Sequence, residues 1–198
     1  MNRRNFLKNT ALFTGLATLI GGHAVYAGAR RLDRIGIQLY TLRSLMQENV
    51  QTTLGAVAGL GYKEVEFAGH FNHSPRDIRS FLDTEGLTAP STHVELTDIR
   101  DRLEATIEDA ATIGHDYIVL PWLQSHERET LDQFKGYAEL FNKVGEKCRD
   151  AGMSFAYHNH MFEFDPIDGV EPYELLLAET NSDLVKMELD LFWTIKAG

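Results

Sequence analysis

Met153-Ser154-Phe155-Ala156-Tyr157-His158-Asn159-His160 reads as a strand that ends in side chains able to bind a metal and to move protons. Successive strand residues face opposite ways, so Ser154, Ala156, His158 and His160 share one face while Met153, Phe155 and Tyr157 share the other. The second face is apolar and wants a helix against it. The first is small and then polar, the pattern of a strand that lines a crowded barrel interior and opens into a site at its C-terminal end. Strand histidines held in structural hydrogen bonds would give the same letters, so the stretch alone does not decide between a site and a satisfied interior.

The flanking sequence repeats the pattern. Short apolar runs alternate with longer amphipathic ones, the signature of βα units and a parallel sheet. Strands are predicted over 35–40, 63–67, 87–94, 117–120, 153–160 and 185–190. Helices are predicted over 44–60, 75–85, 100–113, 127–151 and near 172–179, several closed by a glycine such as Gly61, Gly86, Gly114 or Gly152. Gly136 and Gly145 weaken the long fourth helix and mark an expected break. A parallel strand covered on both sides should be apolar on both faces. Here Gln38 and Tyr40, Glu66, His93, His158 and His160, and Glu188 and Asp190 form a recurrent polar face, which argues for a lumen where they converge near one rim.

Acidic residues outnumber basic ones by 29 to 19 among 198, which disfavours nucleic acid as a partner, because polyanion affinity comes from clustered Lys and Arg. Residues 1–29 read as a twin-arginine signal peptide. Asn2-Arg3-Arg4-Asn5-Phe6-Leu7-Lys8 precedes an apolar run from Ala11 to Ile20 and small residues near Ala27-Gly28-Ala29. That run is shorter than the roughly 20 residues that cross a bilayer, so no stable membrane span is expected after processing. A periplasmic or otherwise exported location follows as an expectation. The single cysteine, Cys148, allows no internal disulfide, so stability has to come from packing.

Taken together, Gly36-Ile37-Gln38-Leu39-Tyr40-Thr41-Leu42-Arg43, Gly61-Tyr62-Lys63-Glu64-Val65-Glu66, Tyr157-His158-Asn159-His160 with Phe162-Glu163-Phe164, and Glu188-Leu189-Asp190-Leu191-Phe192-Trp193 resemble the sugar phosphate isomerase/epimerase group of xylose isomerase-like TIM barrels. The resemblance runs over 35–198, and the leader is similar to those of exported members. It implies an α/β fold, a (β/α)8-type barrel spanning 30–198. It also implies a divalent metal, whether manganese, zinc, cobalt or magnesium, at the C-terminal rim. By the same resemblance Asp190 matches the metal-binding aspartate, His158 stands where many members carry a glutamate, and Trp193 stands where epimerases carry a substrate-binding histidine. An imidazole shifts the metal preference away from magnesium. Residues 30–198 fall short of the about 250 typical of such a barrel. The chain therefore reads as an N-terminal portion with strands seven and eight missing.

The function expected is a metal-dependent isomerase, epimerase or related lyase that moves a proton next to the carbonyl of a small carbohydrate. Glu66, His160, Glu163 and Glu188 are the candidate proton carriers. Gln38, Tyr40, His93, Trp122 and Trp193 are the candidate substrate contacts, and His158 and Asp190 the metal pair. Two ligands are fewer than the three or so that useful affinity needs, so weak metal binding is expected unless His160 or Glu188 joins them. A non-catalytic carbohydrate-binding or interaction protein on a degenerate barrel is the alternative, and self-association into a homo-oligomer is left open.

Overall fold

The computed structural model describes residues 34–198, so the expected signal peptide lies outside the described residues. Six strands alternate with helices: β1 (Gly36–Gln38), α1 (Arg43–Glu48), α2 (Val50–Gly59), β2 (Glu64–Ala68), α3 (Pro75–Glu85), β3 (Thr88–His93), α4 (Leu96–Asp101), α5 (Leu103–Ile113), β4 (Tyr117–Leu120), α6 (Leu131–Asp150), β5 (Ser154–His158), α7 (Pro172–Glu179), β6 (Val185–Glu188) and α8 (Leu191–Ala197). The strands form one sheet in the order β1-β2-β3-β4-β5-β6, and every pairing is parallel.

The sheet curls. Four strand spacings of about 4.8 Å would hold β2 and β6 roughly 19 Å apart if it were flat. Yet Glu66 on β2 and Glu188 on β6 both place a carboxylate oxygen within 3.1 Å of the same nitrogen of His93 on β3. Only strands bent around a common interior can do this, as in the expected barrel.

The outward face of each strand meets the helices. Val65 and Phe67 on β2 join Leu54, Val57, Ile78 and Leu82 from α2 and α3 in one buried cluster. Phe155 and Tyr157 on β5 join Phe134, Phe141, Val144 and Cys148 from α6 in another. Each such side chain removed from water contributes about 1.5–3 kcal/mol. Burial pushes the Cys148 thiol up to about 12.

Local chemistry explains where the elements differ from expectation. Strand one is shorter than 35–40: after Gln38 the chain turns into a 3-10 segment at Leu39–Leu42, because the Gln38 side chain accepts the Tyr40 N–H at 2.8 Å. The expected helix over 44–60 divides at Asn49, whose side chain accepts the Thr52 N–H and so starts α2. The expected helix over 100–113 begins earlier and divides at Arg102. Pro75–Glu85 and Pro172–Glu179 are helices over the expected ranges. Ser74 and Asp77 form a reciprocal cap at the start of the first, and Gly86 ends it at φ 65°.

The expected break in the long helix does not occur. Leu131–Asp150 is continuous, and Gly145 is a packing contact: a Cβ built on it would lie 2.5 Å from the Leu184 carbonyl oxygen. A bare backbone lets α6 lie against the chain entering β6. Strand six ends at Glu188, and Asp190 caps α8 by accepting the Trp193 N–H at 3.0 Å.

Candidate active site

Five strands contribute side chains to one cluster at the C-terminal end of the lumen. Its centre is Glu188, whose Oε1 accepts from His158 Nδ1 at 2.7 Å and from His93 Nε2 at 3.0 Å. His93 Nε2 also faces Glu66 Oε1 at 3.1 Å. Glu66 accepts in turn from the Gln38 amide and the Ser91 hydroxyl. The bulge in β3 beyond Glu64 brings Ser91 and His93 level with Glu66 and Ala68, and Pro90, which has no N–H to donate, sits in that bulge.

The electrostatics follow from this geometry. Burial works against a charged His93, but the hydrogen bonds to Glu188 and Glu66 outweigh it and hold the imidazolium up to about 9. The Gln38 amide presents its NH2 to His93 Nδ1 at 3.3 Å, which suits the neutral ring instead. That contact is long, and two carboxylates are the stronger influence. Burial would raise Glu188, yet its bonds from His158 and His93 keep it well below the usual carboxylate range. His160 is the opposite case: burial, helped by the neighbouring His158, pushes it down to about 4 and leaves it neutral.

The expected site residues divide into those gathered here and those placed elsewhere. Gln38, Glu66, His93, His158 and Glu188 form the connected cluster. Asp190 borders it, with Oδ2 3.7 Å from His158 Nε2. His160 lies beside it among Trp122, Phe162 and Trp193, at ring-centre distances of 4.8, 5.9 and 5.1 Å, and its Nδ1 has no partner among the described residues. Tyr40 is not brought in. It is 59% exposed, with the Arg43 guanidinium 4.5 Å over its ring, because the early turn after Gln38 takes it off the strand face. Glu163 is also apart. It is fully buried and accepts from the Tyr157 hydroxyl at 2.6 Å and the His160 N–H at 2.8 Å, so it fixes the bend after β5. Burial raises its carboxyl despite these donors.

Two residues at the site carried no functional signal in the sequence: Ser91, which donates to Glu66, and Asn159. Asn159 is fully buried; its Oδ1 accepts the Asp190 N–H at 2.9 Å and its Nδ2 lies 3.3 Å from the Asp190 carbonyl. It ties the end of β5 to the start of α8 and so sets where Asp190 stands. The only sequence hint was its position between two histidines, on the face assigned to the apolar side.

The donor set suits a metal. One ligand atom each from His93, His158 and Glu188 lies within 4.8 Å of the others. Two imidazoles and a carboxylate favour zinc or manganese over magnesium, which prefers oxygen. Asp190 adds a further oxygen at the edge.

A family profile described as Xylose isomerase-like TIM barrel matches residues 54–198. No curated protein sequence matches the chain. Among solved structures, the chain is similar to a sugar phosphate isomerase/epimerase from Parabacteroides distasonis, at 25% identity and a TM-score of 0.74, over 86% of this chain and 72% of that one. It resembles an AP endonuclease of family 2 from Brucella melitensis at 14% identity and a TM-score of 0.65, over 81% and 69%. An IOLI protein solved with a bound zinc atom is similar at 16% identity and a TM-score of 0.65, over 83% and 65%.

Proposed function

Because the chain belongs to the xylose isomerase-like TIM barrel family, we propose that it is a metal-dependent isomerase or epimerase, or a related lyase, acting on a small carbohydrate by proton transfer next to a carbonyl. The observation that carries this reading is the meeting of His93, His158 and Glu188 at one end of the lumen. The similarity to a sugar phosphate isomerase/epimerase and to a zinc-bound protein supports it.

His93, His158 and Glu188 would hold the metal, with Asp190 beside them. A divalent ion in that place supplies polarisation of a substrate carbonyl. Glu66 is the proton carrier, because its carboxylate already accepts from Gln38 and Ser91 in the lumen and stands next to the metal cluster. His160, neutral at pH 7, is the second group able to take and return a proton. Trp122 and Trp193 flank His160 and offer faces to a sugar ring. Glu163, out of reach beneath the bend, holds His160 in place.

The leader sequence supports export by the twin-arginine route to the periplasm. No helix among the described residues is long and apolar enough to cross a membrane.

The test is calorimetric titration with zinc and with manganese, paired with a screen of aldoses, ketoses and keto-sugars for isomer formation. Binding of one equivalent, weakened at least tenfold in His158→Ala, together with turnover lost in Glu66→Gln, is the expected result. A chain that binds sugar but neither metal, and interconverts nothing, would instead be a carbohydrate-binding protein.

A further inference from the structure

A cavity of about 840 Å³ opens beside the catalytic cluster, beyond the ends of β2 and β3. Its size lies within the roughly 300–1,000 Å³ of small-molecule sites. His93 is in its wall, whereas His158 and Glu188 are not. The cavity therefore adjoins the cluster through one shared residue, His93, and does not reach the other two candidate metal ligands.

Part of its lining is an unusual turn. His70-Phe71-Asn72-His73 closes with the His73 N–H donating to the His70 carbonyl at 3.0 Å, and Phe71 and Asn72 have φ of 50° and 62°. Positive φ at both central positions is the mirror-image turn that glycine, asparagine and aspartate normally fill. A bulky aromatic there is an outlier, and such backbone conformations persist where the surroundings over-determine them and concentrate at ligand sites. Phe71 is half-buried against the Phe67 and Ile78 core cluster and is also a lining residue of the cavity, so an anchored aromatic residue borders that space.

The remaining walls are polar without being a phosphate cradle. Gln47 and Asn72 offer amides. Arg102, the one Arg or Lys of the lining, is already paired with Asp98 at 3.7 Å and Asp109 at 3.1 Å. Asp98 and Asp109 line the cavity too and outnumber Arg102; an aromatic residue with amides and carboxylates around it suits the hydroxyls of a neutral sugar ring, and an anionic group would meet no uncommitted Arg or Lys there.

We propose that this cavity is a second carbohydrate subsite, so that the substrate is a neutral glycoside or disaccharide whose reacting ring lies over the His93, His158 and Glu188 cluster and whose attached ring stacks on Phe71. This rests on the carbohydrate reading above and narrows it from single sugars to linked ones.

The experiment measures binding without turnover, so that it does not depend on metal or catalysis. A panel of α- and β-linked disaccharides and their component monosaccharides is titrated by ligand-observed NMR against the whole chain, Phe71→Ala and Asn72→Gly. Asn72→Gly keeps the backbone conformation and removes only the amide, so it guards against a Phe71→Ala variant that fails to fold. At least one disaccharide is expected to bind tenfold or more tighter than either component. The variants should cut that preference at least threefold while monosaccharide and zinc affinity stay unchanged. A panel in which no disaccharide outbinds its components, or variants that leave the preference intact, overturns the subsite. Loss of the proposed metal-dependent activity would be seen separately, as absent zinc binding or turnover with the preference intact.

Discussion

Glu188→Gln is expected to lower zinc affinity by about 100-fold or more, since even partners one shell out from a metal are worth 10–100-fold and this carboxylate bonds both imidazoles of the cluster. The amide has nearly the same shape, so the loss is one of charge and of acceptor capacity. The same change should be visible without metal. His93 is held up at about 9 against burial by Glu188 and Glu66; with Glu66 alone, its ring titration followed by NMR should fall by a unit or more. The sign of the linked stability is fixed. A folded-state value raised above the ordinary 6.5 contributes stability that is complete below about pH 6.5 and lost as pH rises through about 9. That gap corresponds to something on the order of 3 kcal/mol. Urea midpoints of the metal-free chain should therefore decline between pH 6.5 and 9, and the decline should flatten in Glu188→Gln. An unchanged slope and unchanged zinc binding would remove Glu188 from the centre of the site.

Gly145→Ala should destabilise the fold by about 3 kcal/mol or more, at the upper end of what overpacking costs. The added Cβ would meet the Leu184 carbonyl oxygen at 2.5 Å and its carbon at 2.9 Å. Those are backbone atoms, so relief requires α6 to shift away from the chain entering β6. At about 2–4 °C per kcal/mol for a domain of this size, the Tm should drop by several degrees. The neighbouring control is Gly136→Ala on the same helix, where a Cβ meets nothing within 4 Å and the higher helix propensity of alanine should stabilise slightly. Equal effects at the two positions would contradict the close approach.

The contrast between these glycines shows what was legible in the sequence. Both read as weak points in a helix, because propensity is local, whereas the contact that requires Gly145 comes from 39 positions further on and leaves no mark nearby. The parallel order and curl of the sheet were legible because five of the six strands carry an apolar and a polar face, as Val65 and Phe67 against Glu64 and Glu66 do, while Tyr117–Leu120 is apolar throughout. Tyr117–Leu120, Pro75–Glu85 and Pro172–Glu179 were bounded by their own turn and cap residues and were read over the observed ranges. Tyr40 was assigned to a strand face because alternation cannot reveal that the Gln38 side chain bonds backbone two residues on. At the site, His93, His158 and Glu188 were each picked out, but their grouping as three mutually close donors depends on how far the sheet curls, which no single strand encodes. Asp190 reads as a ligand by resemblance, yet one of its oxygens is committed to starting a helix.

Cys148 gives the chain a clock. The thiolate is the species that alkylating reagents attack, and here the only sulfhydryl in the sequence has no exposed surface and is held protonated far above neutral pH. It is buried in the larger cluster with Phe141, Phe155 and Tyr157, in the last turn of α6, so a reagent reaches it only when that end of the helix lifts from the sheet. Its modification under native conditions therefore counts openings of the C-terminal end of α6 from the sheet, one adduct per molecule, with no background from a second site.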